Sequence, residues 1–164
     1  MKVKCSIADN DSLRDINHIY NHYVENSTAT FDTEIRSLEF HTKWFENVGR
    51  DRVWIIEDEG AIQGYLALQR WSPRKAYDRT AEITIYILPD QKRKGLGHTL
   101  FQHGLNQCGS LGIKTIIAKI CTESIDSINF HKKNGFESIG VMKGVGYKFG
   151  RLLDVELFQI TLQN

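Results

Sequence analysis

Ile83-Thr84-Ile85-Tyr86-Ile87-Leu88-Pro89-Asp90-Gln91-Lys92-Arg93-Lys94-Gly95-Leu96-Gly97 is the stretch that decides the fold of this chain. An apolar, β-branched run stops at a proline. A basic, glycine-bearing turn follows, and then a helix opens with Leu96, Leu100, Phe101, Leu105 and Cys108 on one face. Strand, turn and helix in that order aim free backbone N–H groups and the positive end of a helix at one spot, which suits phosphate oxygens. Two familiar phosphate loops are excluded. No G-x-x-x-x-G-K-[ST] run exists, and Gly95-Leu96-Gly97-His98-Thr99-Leu100 carries Leu where a dinucleotide fingerprint needs its third Gly. Gly95 and Gly97 let the turn bend tightly and approach a ligand. Lys92, Arg93 and Lys94 add charge. A solvated basic turn that merely caps a helix accounts for the same residues equally well.

Outward from this stretch, residues 2–8 alternate as a first strand. Asp9, Asn10 and Asp11 offer N-cap chemistry, and Leu13, Ile16, Ile19/Tyr20 and Tyr23/Val24 recur at helical spacing. Asn26–Glu34 is polar and reads as loop. A second helix follows Ser37 and stops at Gly49. Val53–Glu57 and Ile62–Trp71 form a hairpin about Asp58-Glu59-Gly60. Ser72–Asp78 is a loop, and Thr80–Leu88 a long strand. The helix over Gly95–Leu111 is followed by a strand at Lys114–Ile120, a helix at Ser124–Asn134, and strands at Phe136–Met142 and Val155–Leu162. Gly144, Gly146 and Gly150 shape bends near the chain end. The order β-α-α-β-β-β-α-β-α-β-β is neither a meander nor a doubly wound sheet. It predicts an α/β protein with a mixed sheet (α+β mixed), parallel where the helix after Gly95 crosses between strands.

The chain has 164 residues, enough for one domain over 1–164 with a real core. With 41% hydrophobic and 25% charged residues and a net charge of +1, it is an ordinary globular balance that suggests no nucleic-acid or membrane surface. Three cysteines without a C-x-x-C pair argue against a disulfide framework or a zinc site; no metal is expected. No signal-peptide core or membrane-length apolar run is present, so a cytoplasmic protein is expected.

The turn resembles the pyrophosphate-binding motif [Q/R]-x-x-G-x-[G/A] of the GNAT superfamily, the Gcn5-related N-acetyltransferases. Ser124–Phe136 is similar to the later GNAT helix that ends in G-F and flanks the coenzyme's pantetheine arm. Asn26–Glu34, Thr80-Ala81-Glu82 and Gly146–Asp154 resemble the phosphinothricin / methionine sulfoximine N-acetyltransferase branch. The likeness runs over nearly the whole chain. It implies a GNAT acyl-CoA N-acyltransferase fold, with a splayed central sheet flanked by helices. It further implies acetyl-CoA as co-substrate, a small-molecule amine as acceptor, direct attack of that amine on the thioester, and a homodimer.

Acetyl transfer needs a held donor, a neutral amine, donors for the oxyanion and a proton for the leaving thiolate. By resemblance, Arg93, Lys94, Gly95, Leu96, Gly97 and His98 hold the pyrophosphate. Ile85, Tyr86 and Ile87 line the pantetheine, with a backbone N–H near Ile85 for the oxyanion. Ser124 and Lys133 add coenzyme contacts, although a solvated Lys133 fits as well. Glu82 matches the branch's base; without the resemblance it reads as a strand-surface carboxylate. A carboxylate among apolar neighbours is raised toward neutrality, which suits a base. His131 stands where many GNATs have Tyr, either to protonate the thiolate or only to touch the coenzyme; Tyr86 is a weaker candidate for the same proton. Phe31, Trp71, Ser72, Arg74, Tyr77, Glu82 and Thr84 are the acceptor-site candidates. Arg74 is placed on the acceptor's carboxylate, and Lys148, Phe149 and Arg151 approach from the last hairpin. The chain departs from the pattern at Lys92 (Gln or Arg is usual), Ser124 (Asn), Ile83 (His) and Leu152 (Trp). Weaker coenzyme binding is expected from the first two. Two alternatives stay open: acetylation of protein termini, lysines or polyamines, and a CoA-binding regulatory module with little catalysis.

Overall fold

A computed structural model describes residues 2–163. Its strands are β1 (Lys4–Ile7), β2 (Val53–Asp58), β3 (Ala61–Arg70), β4 (Thr80–Ile87), β5 (Thr115–Cys121), β6 (Glu137–Lys148) and β7 (Arg151–Thr161). Its α-helices are α1 (Leu13–Asn26), α2 (Leu38–Val48), α3 (Leu96–Cys108) and α4 (Ile125–Lys133). All strands join one sheet in the order β1-β2-β3-β4-β5-β7-β6. The β4–β5 pair is parallel, as a crossover through α3 requires; the other pairs are antiparallel.

Strand alternation divides the core in two. Trp54, Ile56, Leu66, Leu68, Ala81 and Ile83 pack against Leu96, Leu100 and Phe101 of α3 and against Ile128 of α4. Val53, Ile55, Tyr65 and Ala67 face the other way, toward Leu13, Ile16, Ile19 and Tyr23 of α1 and Phe45 of α2. A fully buried Leu100 or Phe101 contributes about 1.5–3 kcal/mol of transfer free energy. Helix α2 starts where Phe40 N–H donates to Ser37 Oγ, and stops at Gly49, whose φ is 94°.

The parallel ladder is short. Its rungs are Thr80↔Thr115, Ala81↔Ile116 and Glu82↔Ile117, although both strands run on. Beyond Glu82 the strands part, so the expected splay is observed. Leu88 N–H donates to Gln63 O and Trp71 N–H to Thr80 O, which turns the even-numbered main-chain groups of β4 toward β3. Those of Ile85 and Ile87 therefore face the gap.

Strands β6 and β7 run well past the expected Phe136–Met142 and Val155–Leu162 and meet at a hairpin tip at Phe149-Gly150. The bends expected of Gly144 and Gly146 fall in an irregularity of the ladder between Met142 and Gly146, and a second irregularity lies between Ser138 and Gly140. A bulge absorbs an extra residue without ending a strand, which is why the glycines did not shorten it. Among the described residues, no helix is long and apolar enough to cross a membrane.

Candidate active site

A cleft of about 1110 Å³ runs through the splay, with one arm on each face of the sheet. That exceeds the few hundred Å³ a small ligand alone needs.

The first arm is the turn before α3. Arg93 and Gly95 adopt left-handed backbone, with φ of 63° and 84°. Thr99 N–H is the first to bond back, to Gly95 O, so the N–H groups at the very start of α3 have no helical partner. Two left-handed residues beside a helix N-terminus make a concave nest for an anion. Lys92, Arg93, Gly95, Gly97, His98, Ser124 and Lys133 line this arm. His98 Nδ1 lies 2.9 Å from Asn134 Oδ1, tying the start of α3 to the end of α4. Lys92 Nζ lies 4.9 Å above the Tyr23 ring. Two expected contacts are displaced. The Leu96 side chain is buried beneath the sheet, leaving only its main chain for a ligand. Lys94 turns back to donate to Gln91 Oε1 at 2.8 Å and does not line the cleft.

The second arm lies on the α1/α2 face. Glu82, Thr84 and Tyr86 project there from β4, and Tyr20, Phe31, Phe40, His41, Trp44, Tyr65 and Gln69 complete the wall. A relay fixes Thr84: Gln69 Nε2 donates to its Oγ1 at 3.1 Å, and Trp44 Nε1 donates to Gln69 Oε1 at 3.2 Å. Glu82 sits at the last rung of the ladder, where the strands part. Its surroundings differ from the apolar ones expected, because Lys119 Nζ lies 3.0 Å from Glu82 Oε1. The ion pair crosses the mouth of the splay.

Two tyrosines are committed elsewhere. Tyr86 OH donates to Ala29 O, and burial pushes its pKa far up, which makes it a poor proton source. Tyr23 OH donates to Ile87 O at the far end of the gap. His131 lines the cleft but is only 4% exposed. Its Nδ1 lies 2.8 Å from Ser127 O, a carbonyl that can only accept, so the proton is on Nδ1. Burial pulls its pKa down, the Ser127 bond opposing less strongly. The neutral ring therefore presents Nε2 as an acceptor.

The loop over residues 27–36 is tightly held. Tyr20 OH donates to Asp32 Oδ2 at 2.7 Å, and Arg36 grips both Asp32 oxygens at 2.6 and 2.7 Å. Those bonds to Arg36 hold the Asp32 carboxyl below its usual range. Lys148, expected to approach the acceptor, is buried and donates instead to Ser27 O and Thr30 O at 2.8 and 2.9 Å. Arg151 pairs with Glu123 at 2.6 Å. Trp71, Ser72, Arg74 and Tyr77 are brought together on the β3–β4 connection but do not line the cleft. A 3₁₀ turn at Lys75–Tyr77 and an Arg70–Asp78 pair at 3.1 Å fold that connection upon itself. Sequence reasoning missed Lys119, Gln69 and Trp44. For Gln69 the signal was present, since hairpin alternation places it on the same face as Glu82 and Thr84.

A sheet opened between parallel strands, with an anion nest at one arm and a carboxylate-bearing aromatic chamber at the other, defines a class: group-transfer enzymes built around a long, phosphate-bearing donor. The chain matches the family model of the acetyltransferase (GNAT) domain over residues 6–157. It belongs to that family and is an N-acetyltransferase. It is 35% identical over 145 residues to the phosphinothricin N-acetyltransferase of Streptomyces viridochromogenes, covering 86% of this chain and 78% of the relative. It is 33% identical to the L-methionine sulfoximine/L-methionine sulfone acetyltransferase of Pseudomonas aeruginosa, covering 88% and 86%. Among solved structures, the phosphinothricin acetyltransferase of Sinorhizobium meliloti in complex with AcCoA superposes with a TM-score of 0.93 at 32% identity, covering 99% of this chain and 89% of that one. The ribosomal-protein-alanine N-acetyltransferase of Brucella melitensis superposes with a TM-score of 0.92 at 31% identity, covering 97% and 99%.

Proposed function

We propose that this protein transfers the acetyl group of acetyl-CoA to the primary amine of a small amino-acid-like acceptor, of the phosphinothricin or methionine sulfoximine type. The observation that carries the reading is the position of Glu82. It stands at the last rung of the β4–β5 ladder, between the anion nest and the aromatic chamber. Similarity to acetyltransferases of those two acceptors supports the substrate class.

Acetyl-CoA supplies an activated thioester. The residues fit it: the Arg93–Gly95 nest and Lys92 suit a pyrophosphate, and the Ile85 and Ile87 main chain offers strand-like hydrogen bonds to an amide-bearing arm. Ile85 N–H is assigned to the developing oxyanion. Glu82 takes the proton from the acceptor's ammonium, leaving a neutral amine whose nitrogen attacks the thioester carbon; the C–S bond breaks as the N–C bond forms, and the proton the nitrogen then sheds goes to the departing thiolate. Phe31, Trp44 and Tyr86 wall the chamber, and Thr84 orients the acceptor. For His131, the bonded Nδ1–H and the buried, neutral ring support a coenzyme contact over a general acid.

We further propose a homodimer. Ile139, Val141, Val145 and Tyr147 on the edge strand β6, with Phe149 and Leu152 at the tip, are 43–69% exposed. An apolar edge strand of this length is a surface that proteins cover. Sedimentation should report a dimer, and Tyr147→Asp with Leu152→Asp a monomer. Three free thiols support a reducing, cytoplasmic location.

The test of activity is thiol release from acetyl-CoA with phosphinothricin, methionine sulfoximine, methionine sulfone, other amino acids, polyamines and peptides. Saturable turnover on the amino-acid analogues alone is expected. Preference for a peptide beginning with alanine would favour protein termini instead. Stabilisation by acetyl-CoA with turnover on none would leave a coenzyme-binding module.

A further inference from the structure

We infer that Lys119 is the residue that receives the acceptor's α-carboxylate, so that the Glu82–Lys119 ion pair is a receptor for an amino-acid zwitterion. The inference rests on the function just proposed and names its specificity determinant.

The argument begins with charge. An amino-acid acceptor carries a carboxylate that must leave water, and a desolvated anion needs a cation. Lys92, Arg93 and Lys133 line the cleft at the nest arm, where a coenzyme's phosphates need them. On the chamber side, Lys119 is the lysine or arginine among the described lining residues. His41 also lines the chamber, but burial lowers its pKa and its Nδ1 lies 2.9 Å from Asn17 Nδ2, so it is neutral. Arg36 is spent on Asp32, Lys148 on two carbonyls, and Arg74 lies outside.

Placement agrees. Ile116, Ala118 and Ile120 of β5 pack on the α3 side, so Lys119 projects to the opposite face, the one Glu82 occupies. It lies two residues beyond the last rung and reaches back across the splay to Glu82 at 3.0 Å. Its side chain is 46% exposed and can move, and its Nζ already lies 5.9 Å from the Trp71 ring.

Geometry completes the case. In an amino acid the nitrogen and the carboxylate carbon are about 2.5 Å apart, two bonds from one another. A pair of opposite charges 3.0 Å apart can open slightly and exchange partners: ammonium to Glu82, carboxylate to Lys119. No charge is left unpaired at any stage, which avoids the cost of an isolated buried ion. When Glu82 takes the proton from nitrogen, Lys119 still neutralises the carboxylate. An acceptor without a carboxylate must break the pair and gives Lys119 nothing in return.

The test compares methionine sulfone with its carboxamide as acceptors, in wild type, Lys119→Met and Lys119→Arg, with acetyl-CoA as donor. The amide's different amine basicity cancels because each variant is read as a ratio of kcat/KM values. Wild type should favour the free acid. Lys119→Met should cut that preference about tenfold or more through the acceptor KM, with the acetyl-CoA KM unchanged. Lys119→Arg should keep it within about threefold, because a guanidinium also binds carboxylate. Melting curves with and without acetyl-CoA verify that each variant is folded, and Lys119→Gln stands in if Lys119→Met is not. An unchanged acid-to-amide ratio in a folded variant overturns the Lys119 assignment alone. Turnover by wild type on other amines but on no amino acid overturns the acceptor class and this inference with it.

Discussion

Gly95 is required by torsion and not by room. Its φ is 84°, yet a Cβ built there would meet nothing within 4 Å. Gly97 is the reverse case: its backbone is ordinary, and a Cβ would touch Phe130 and Ile87 at 3.6 and 3.7 Å, normal contact distances. Gly95→Ala should therefore cost about 1 kcal/mol of stability through left-handed strain and weaken acetyl-CoA binding, whereas Gly97→Ala should leave the melting temperature nearly unchanged. Thermal melts with a coenzyme titration separate the two. Glu82→Gln keeps the shape and removes the proposed base. It should lower kcat about 10²-fold or more with acetyl-CoA binding retained, and near-normal turnover would remove Glu82 from that role. His131→Asn should lower kcat less than about tenfold, because a neutral ring with its proton committed to Ser127 is no ready acid; a loss as large as that of Glu82→Gln would restore the acid role. The nest was legible in the sequence because Gly95, the basic residues and the helix start are contiguous. Lys119 was not. A lysine in an apolar strand reads as an outward-facing residue until it is known that β5 lies beside β4 and that their ladder stops at Ile117.

At the scale of elements, the β6–β7 hairpin braces the acceptor chamber and lines the cleft through Met142, Val145 and Val155. Lys148 anchors two carbonyls of the loop that carries Phe31, and a Cβ at Gly146 would overlap the Phe31 ring itself. Glycine is needed there so that an aromatic ring can lie flat on a strand. Gly146→Ala should push Phe31 off its seat and raise the acceptor KM about tenfold while leaving the acetyl-CoA KM alone; a parallel rise in both constants would mean that the hairpin supports the whole cleft. Element order and the parallel crossover followed from periodicity, since helix and strand spacings in this chain are long and distinct. The hairpin's length did not, because a glycine inside a bulge and a glycine that ends a strand look alike along the chain. The placement of the 71–79 segment was not legible for a related reason. Its charged and aromatic residues are those of a binding loop, but a 3₁₀ turn and an ion pair fold it back on itself.

Across the whole molecule, the two cores each bury a histidine, and together they set how the fold responds to acid. His41 on α2 is 2% exposed among Tyr20, Phe40 and Trp44, and His131 on α4 is 4% exposed between Phe130 and Phe136. Burial lowers both pKa values below the ordinary 6.5. A histidine with a depressed folded-state pKa binds its proton more readily when the chain is unfolded. Between that depressed value and 6.5 the unfolded state therefore holds more protons, and stability falls as pH falls. Each group contributes a slope of at most about 1.4 kcal/mol per pH unit. The two rings lie on opposite faces of the sheet, so their effects should add. The carboxylates act lower on the scale. Asp32, held below its usual range first by its bonds to Arg36, stabilises above the unfolded-chain value near 3.8 and loses that contribution as pH falls through its folded value. Urea unfolding at a series of pH values should thus give a free energy that is level above about pH 7.5 and declines from about 6.5 downward, well before the carboxylates protonate. His131→Asn should halve that decline without moving its onset, since His41 remains. A curve level to pH 5 would show that both rings reach protons in the folded state, which the burial of both, and for His41 the Asn17 Nδ2–H donor facing its Nδ1, argue against.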